Sequence, residues 1–172
     1  RNQLTKIVSA SGNYGRSESG KGQLALVEFI SANPTGPLTV GHGRQAVLGD
    51  VVARILEWNG YAVEREYYYN DAGRQMRLLG ESVRARYLEI LGEKGEFPEG
   101  GYKGEYIRDI AQKIYDVKKG TLKDETEVTV FRDAAEEEIF ADIRSTVEQL
   151  GIHFDSFVNE QRFYDEGSID EV

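Results

Sequence analysis

Cysteine is absent from the 172 residues, so no disulfide framework and no thiolate zinc site can form. Without cysteine there is no sign of an oxidising compartment, and we expect a cytoplasmic protein. Long apolar runs are also lacking, because none approaches the roughly 20 residues that cross a bilayer. The polar amino terminus does not have the pattern of a secretory signal. These absences exclude a disulfide-rich secreted module and argue against a membrane protein.

Basic residues are in the minority, since 21 Lys and Arg stand against 30 Asp and Glu and give a formal net charge of −9. Residues 121–172 hold 4 of the basic residues and 15 of the acidic ones. Phosphate backbones are bound chiefly by Lys and Arg, so this last third is a poor candidate for a nucleic-acid surface. We therefore expect no DNA binding, place any RNA contact upstream, and interpret the acidic third as a solvated helix face.

The hydrophobic pattern of residues 24–69 predicts a strand, a helix and a second strand. Residues 24–30 form an almost continuous apolar run, which suits a central parallel strand covered on both faces. Residues 41–58 predict an amphipathic helix that ends at Asn59-Gly60, and residues 62–69 predict the second strand. This βαβ unit indicates an α/β fold. The apolar face predicted for the helix consists of Val47, Leu48, Val51, Val52, Ile55 and Leu56.

Three further helices are predicted downstream, over residues 72–91, 106–117 and 128–150, the last closed by Gly151. The first has one apolar side made of Met76, Leu79, Val83, Tyr87 and Leu91. Residues 92–104 contain five glycines and Pro98, which indicates a loop or the start of an insertion. We divide the chain into a polar lead-in at 1–23, a loop or the stub of a preceding element, and a partial domain at 24–172 with an insertion at about 92–127.

Both ends of the sequence suggest a fragment of a longer protein. The chain starts at Arg1 and its one methionine is Met76, so the first residue is not an initiator. At the other end, Ser168 and Glu171 have the spacing of a capping box that opens a helix, and only Val172 follows.

Two segments are candidates for binding phosphate. Residues 15–22 nearly match the P-loop pattern, but Gly22 lacks the hydroxyl that would bind Mg²⁺, and a strand follows where a helix is needed. Residues 31–43 lie past the end of a strand and run into a helix amino terminus, which is where phosphate binds in such folds. In this second segment His42 can donate a hydrogen bond to an oxyanion, and its glycines allow close approach to the backbone.

A longer string around this second segment resembles a known signature. Residues 27–44, VEFISANPTGPLTVGHGR, resemble the first signature of class I aminoacyl-tRNA synthetases, the His-Ile-Gly-His motif, in the form found in bacterial arginyl-tRNA synthetases. Residues 67–75, YYYNDAGRQ, are similar to a second stretch of the same family. The first histidine of the motif is replaced by Thr39, whose hydroxyl can donate to a phosphate oxygen but carries no charge.

The resemblance implies the amino-terminal half of a class I catalytic domain, with a Rossmann-like parallel sheet, flanking helices and a helical insertion. It implies ATP-dependent activation of L-arginine to arginyl-adenylate and transfer to tRNA(Arg). Mg²⁺ would accompany ATP without an identified protein ligand, and the full-length protein is expected to be a monomer. The catalytic candidates are His42 and Thr39. The ATP-binding candidates are Ala32, Asn33, Pro34, Thr35, Gly36, Pro37, Leu38, Thr39, Val40, Gly41 and His42.

The resemblance also places arginine recognition at Glu28, Ser31 and Asn33. A carboxylate near the end of an apolar strand needs a partner, and a substrate guanidinium offers a forked set of N–H donors. The alternative for Glu28 is a structural ion pair with Arg44 or another internal arginine. For Asn70 and Asp71, which end the second strand on the same sheet edge, the alternative is capping of the next helix.

The second signature of the family, a Lys-Met-Ser-Lys loop, is not found in this sequence. We therefore expect the 172-residue chain alone to be inactive or nearly so. Two other functions stay open: a small nucleotidyltransferase with a related His-x-Gly-His loop, and a non-catalytic synthetase-like module kept for binding.

Overall fold

The computed structural model describes residues 2–168, which form an α/β fold with a three-stranded parallel sheet in the order β1-β2-β3. Leu24 of β1 pairs with Ala62 of β2, and Glu66 of β2 pairs with Ser156 of β3. The elements are α1 (Asn2–Ala10), a 3₁₀ turn (Ser11–Asn13), β1 (Leu24–Glu28), α2 (Val40–Trp58), β2 (Ala62–Tyr69), α3 (Gly73–Ile90), α4 (Glu105–Lys118), α5 (Thr129–Gln149), β3 (Ser156–Asn159) and α6 (Glu160–Asp165).

The predicted βαβ unit is confirmed as β1, α2 and β2. Helix α2 ends where expected, since Gly60 has a φ of +88° and its N–H donates to the Glu57 carbonyl. The helix is fastened to β2 by Arg65, whose guanidinium makes a forked pair with Glu57 at 2.7 and 3.0 Å. The position of α2, which begins at the end of the signature string, is therefore fixed by this strand.

The main core lies between the sheet and the helices α3, α4 and α5, which pack on one another. The predicted face of α3 is confirmed: Met76, Leu79, Val83 and Tyr87 are buried, and Leu91 packs against the same cluster. Tyr67 of β2 lies at the centre of this core, in contact with the rings of Phe140, Phe154 and Phe157. The Tyr67 ring connects the sheet to the helices.

Two predictions of burial are wrong. The first strand is not covered on both faces, because Leu24 and Leu26 are 72% and 56% exposed and β1 has one neighbouring strand among the described residues. The apolar face predicted for α2 is not in the core either. The buried positions of α2 are the small ones, Ala46, Gly49 and Ala53, whereas the residues exposed are Val47, Leu48, Val51, Val52 and Ile55.

The close approach of α2 to the end of β1 explains this reversal. A Cβ placed on Gly49 would lie 2.1 Å from Cγ of Phe29, so the helix contacts this ring through a residue that has no side chain. The large branched residues of α2 are exposed instead, and two of them, Leu48 and Val52, line an open cleft beside Phe29. The helical periodicity of the large apolar residues therefore predicted the wrong buried face, because the small residues of α2 face the sheet.

The lead-in at residues 1–23 is not simply a loop, because α1 and the 3₁₀ turn occupy part of it, with no buried residue in either. Strand β3 and helix α6 were not predicted. The predicted capping box depends on Glu171, which lies outside the described residues, as does Arg1 at the other end.

Of the helices that the structure describes, none has the length and apolar character needed to span a membrane.

Candidate functional site

The signature segment, Ala32–His42, connects the carboxyl end of β1 to the first turn of α2. Because the three strands are parallel, their carboxyl ends share one edge of the sheet, which is the ligand-binding edge of open α/β sheets. The helix amide groups at the start of α2 point toward this edge and favour an anion there. The segment therefore lies where the sequence predicted.

His42 is the third residue of α2, and Thr39 is the residue that caps it. The Thr39 backbone N–H donates to Nδ1 of His42 at 3.0 Å, and the Thr39 hydroxyl lies 3.3 Å from the same atom. Because Nδ1 accepts a hydrogen bond, the neutral imidazole carries its proton on Nε2. Nε2 has no hydrogen-bond partner within residues 2–168, and the ring is half-buried. The ring thus caps its own helix with one nitrogen and keeps the other as a donor.

The signature segment has a buried part and an exposed part. Ala32 and Pro34 are buried, and Leu38 packs against the core. The exposed residues are Pro37, Thr39, Val40 and Gly41, which flank Leu38. The first half, together with Leu38, therefore anchors the segment to the protein, and the exposed residues of the second half present the turn that enters α2.

Three hydrogen-bonded tethers fix the anchored half. The Asn33 side chain accepts from the Asn70 N–H at 2.9 Å and donates to Gln75 at 2.9 Å. The Tyr106 hydroxyl of α4 donates to the Thr35 carbonyl at 2.8 Å. The Tyr67 hydroxyl donates to the Ala32 carbonyl at 2.9 Å and accepts from the Ala32 N–H at 3.2 Å. Burial raises the pKa of Tyr67 to about 12 and also raises the pKa of Tyr106, so both hydroxyls stay protonated at neutral pH.

Gly36 is needed where Tyr106 crosses the segment. A Cβ at this position would lie 2.9 Å from the Tyr106 hydroxyl oxygen. The contact brings α4, which lies in the predicted insertion, against the signature segment.

Glu28 and Ser31 line one open cleft of about 550 Å³ beside α2. The Glu28 side chain is exposed, and no Lys or Arg within residues 2–168 lies within ion-pair distance of it. The alternative of a structural ion pair with Arg44 is therefore wrong for the described residues. Asn33 is not among the residues that line this cleft, and its amide makes the two tethers described above, which use one of its N–H donors and one lone pair of its oxygen.

Asn70 and Asp71 hold the other end of this sheet edge together. Asn70 accepts from the Ala72 N–H at 2.8 Å, which shapes the turn before α3, and its amide donates to Glu160. Asp71 accepts from the Asn159 amide at 2.8 Å and from the Gln161 N–H at 3.4 Å. The capping alternative is not confirmed, because the N-cap of α3 is Ala72 and no side chain of residues 2–168 caps this helix. Asn70 instead orders the turn before α3, and Asp71 ties β2 to the start of α6.

The first phosphate-loop candidate, residues 15–22, lies between the 3₁₀ turn and β1, so the rejection of a P-loop is confirmed. Within residues 2–168 no group of three or more His, Asp or Glu side chains is placed to hold a metal ion. Three residues that shape the site were missed from the sequence: Tyr67, Tyr106 and Gln75. Each contacts the signature segment from 35 or more positions away in the chain, and no local pattern signals such a pairing.

Comparison with known proteins identifies relatives over nearly the whole chain. Residues 3–152 match the family model described as tRNA synthetases class I (R), catalytic domain. The arginine–tRNA ligase of Desulfotalea psychrophila is 58% identical over 169 residues, which is 98% of this chain and 31% of that protein. The corresponding ligase of Pelodictyon phaeoclathratiforme is 57% identical over 94% of this chain and 29% of its own length.

Two solved structures of arginyl-tRNA synthetases have the same fold as this chain. An arginyl-tRNA synthetase of Campylobacter jejuni superposes with a TM-score of 0.81 at 37% identity, covering 95% of this chain and 37% of its own. The arginyl-tRNA synthetase of Thermus thermophilus has the same fold, with a TM-score of 0.61 at 23% identity over 99% of this chain and 29% of its own. The chain thus spans about a third of the length of the relatives it matches.

Proposed function

Because the chain belongs to the class I arginyl-tRNA synthetases, in the region of their catalytic domain, we propose that it forms part of an arginine–tRNA ligase. In this proposal the protein activates L-arginine with ATP to give arginyl-adenylate and pyrophosphate, and then transfers arginine to tRNA(Arg). The observation that carries the proposal is the placement of His42, whose Nε2–H is a donor at the amino end of α2 on the ligand-binding edge of the sheet.

The signature segment binds the ATP phosphates in this account. The Nε2–H of His42, the Thr39 hydroxyl and the first N–H groups of α2 supply fixed donors where negative charge develops at the α-phosphorus. The protein itself contributes little covalent chemistry to this reaction. Its main contribution is to hold the carboxylate and the phosphorus in line. The reciprocal cap between Thr39 and His42 orients the imidazole before the nucleotide binds.

Thr39 retains one of two properties of the histidine that it replaces. Its hydroxyl can donate to a phosphate oxygen, but it adds no positive charge. In this protein Thr39 also caps α2, and threonine is a better N-cap than a large side chain. We infer that electrostatic stabilisation at this motif depends mainly on His42.

Arginine recognition is assigned to the cleft that Glu28 and Ser31 line. An exposed carboxylate without an internal cation partner suits a guanidinium, which can bind it with two parallel N–H donors. Asn33 is assigned to the amino-acid end of the substrate, and its side chain is already oriented by Asn70 and Gln75. Replacing Glu28 with Gln should weaken arginine binding while leaving ATP binding unchanged.

Mg²⁺ enters this proposal as a companion of ATP. It would neutralise charge on the phosphates, and the carboxyl groups of residues 2–168 do not form a cluster that would hold it without the nucleotide. The remaining partner, tRNA(Arg), is proposed for the whole enzyme, as are its cytoplasmic location and its monomeric state.

The proposed activity is tested by arginine-dependent exchange of pyrophosphate into ATP, in the presence of tRNA. The chain is placed in the D. psychrophila ligase in exchange for the matching region, with which it is 58% identical. We expect exchange from this chimera and almost none from the 172-residue chain alone, since its sequence lacks the second signature. A chimera that is folded but inactive, beside an active parent ligase, would contradict the proposal.

Family membership favours this function over a small nucleotidyltransferase. The binding-module alternative rests on Thr39, and it is tested by Thr39→His in the chimera. If the chimera is inactive with either residue while the parent is active, a non-catalytic module is the better account.

A further inference from the structure

The backbone is strained where β1 leads into the signature segment. Ile30 and Ser31 have φ values of +66° and +46°, in the left-handed region that favours glycine. For a β-branched residue such as Ile30 this conformation is rare, because its Cβ crowds the neighbouring carbonyl. Such a conformation persists only where the surroundings hold it, and strain of this kind is concentrated at functional sites.

The next residue, Ala32, is held on both of its polar backbone groups by one side chain. The Tyr67 hydroxyl donates to the Ala32 carbonyl and accepts from the Ala32 N–H. The Tyr67 side chain is fully buried and its ring is fixed by the surrounding aromatic core. Without the hydroxyl, both groups of the buried Ala32 would lose their partner.

The tether from Tyr67 differs from the other two. Asn33 and Tyr106 hold the segment after the strained turn, and their tethers end on half-buried residues, Asn33 itself and Thr35. Tyr67 acts directly beside the strained pair and is part of the rigid sheet. The Tyr68 N–H of the same strand donates to the Ser31 hydroxyl at 3.2 Å, but Tyr67 alone among these groups holds both backbone groups of the residue that follows the strained pair.

We propose that the Tyr67 hydroxyl is a positioning group: by holding Ala32 it keeps Ile30 and Ser31 in their left-handed conformation and so gives the signature segment its ATP-binding geometry. The proposal rests on the ATP-binding role proposed above for that segment. Tyr67 touches neither nucleotide nor reacting atoms in this account. Its effect reaches His42 only through the path of the backbone from Ala32 to the start of α2.

The chain contains a matched control for this hydroxyl. Tyr87 is also fully buried, and its hydroxyl also has two backbone partners, the Lys119 carbonyl and the Leu122 N–H. That tether fixes the chain beyond α4 and does not contact the signature segment. Tyr67→Phe and Tyr87→Phe therefore remove the same chemistry from two places.

The test compares the full chain with these two variants by urea unfolding, by amide hydrogen exchange of residues 31–36, and by ATP titration. We expect similar losses of stability in both variants. We expect only Tyr67→Phe to speed exchange at Ala32, by tenfold or more, and to weaken ATP binding by about fivefold or more. The proposal is overturned if Tyr67→Phe binds ATP as tightly as the parent chain, or if Tyr87→Phe weakens binding to the same extent.

A rescue variant distinguishes a local effect on the strained turn from general unfolding of the protein. Ser31→Gly removes the strain at one of the two left-handed residues, and it also removes the hydroxyl that accepts from the Tyr68 N–H at 3.2 Å, so Ser31→Gly alone is its reference. Measured against that reference, the double variant with Tyr67→Phe should recover ATP affinity that the single Tyr67→Phe variant loses. No recovery in a folded double variant would contradict the proposal. If the parent chain alone binds no ATP, the titrations are made in the D. psychrophila chimera, where the same order of the variants is expected. A folded chimera that binds no ATP would contradict the proposed function, whereas the exchange comparison tests the positioning of Ala32 by itself.

Discussion

Among individual residues, Arg65 and Glu57 form the ion pair that fixes α2 to the sheet. The hydrogen bond from Arg65, with its charge, lowers the pKa of the Glu57 carboxyl below its ordinary 4.5 and raises the pKa of Arg65. A lowered carboxyl pKa stabilises the folded state above the unfolded pKa, and the contribution is lost as pH falls through the folded pKa. The pair should therefore stabilise the protein at neutral pH and cease to do so in acid.

Glu57→Gln should lower the free energy of unfolding at pH 7 by up to about 1 kcal/mol, since the carboxylate is partly exposed and screened by water. The difference from the parent chain should shrink as pH falls from 4.5 through the lowered pKa of folded Glu57, because the parent carboxylate becomes protonated over that range. Urea unfolding over a series of pH values measures it. Glu81→Gln is the control, because the Arg77–Glu81 pair is longer, at 3.7 Å. A Glu57→Gln effect that is independent of pH would show that the pair acts through packing alone.

At the scale of secondary-structure elements, the contact between α2 and β1 depends on a glycine. Gly49→Ala would place a methyl group against the buried Phe29 ring and should destabilise the protein by about 1–3 kcal/mol. Gly43 on the same helix has open space around its Cβ position, so Gly43→Ala should instead stabilise by about 0.5–1 kcal/mol. Thermal or urea unfolding of the two variants shows whether each substitution lowers or raises the free energy of unfolding. Equal effects would mean that α2 does not approach Phe29 this closely.

The elements that sequence could predict are those whose signal is local. The strand predicted over residues 24–30, the helix predicted over 41–58 and the apolar side of α3 follow from periodicity, and the structure has them at Leu24–Glu28, at Val40–Trp58 and on α3. Strand β3 was not predicted because its four residues show no clear alternation, and α1 because the Ser- and Gly-rich composition of residues 1–23 indicates a loop. The hydrophobic pattern also did not predict which face of α2 is buried, because the face that packs on the sheet is made of small residues.

The candidate site, like the fold, has a part that the sequence could predict and a part that it could not. The position of the signature segment could be predicted from its own residues, because the end of a strand, the loop and the start of a helix are contiguous in sequence. The tethers that shape it, from Tyr67, Gln75 and Tyr106, join residues far apart in the chain. Such contacts depend on how the elements pack, and a single sequence does not encode them in any local pattern.

At the scale of the whole molecule, helix α2 exposes an apolar side on the surface that residues 2–168 form. Val47, Val51 and Ile55 lie one turn apart and are all exposed. Contiguous apolar surface of this kind binds hydrophobic dyes and promotes association. Placing Glu at Val51 and Lys at Ile55 would cover it with an i, i+4 pair of favourable orientation.

The double variant Val51→Glu/Ile55→Lys should lower dye fluorescence and raise solubility, and should leave the free energy of unfolding within about 0.5 kcal/mol of the parent. Dye titration and urea unfolding measure the two effects. Ala53→Glu is the contrasting case, because Ala53 is fully buried and a carboxylate there should prevent folding. Strong destabilisation by the double variant would show that the α2 stripe is packed in the folded protein.

The whole account depends on His42 binding phosphate while it caps α2, and ATP titration of two variants tests this most directly. His42→Ala removes the acceptor for the Thr39 N–H and the Nε2 donor, so it should cost about 1 kcal/mol of stability and at least tenfold in ATP affinity. His42→Glu keeps an acceptor suited to this helix position, yet turns a negative charge toward the phosphates. The account predicts that His42→Glu stays as stable as the parent chain and loses ATP binding; ATP affinity unchanged in either variant would contradict it.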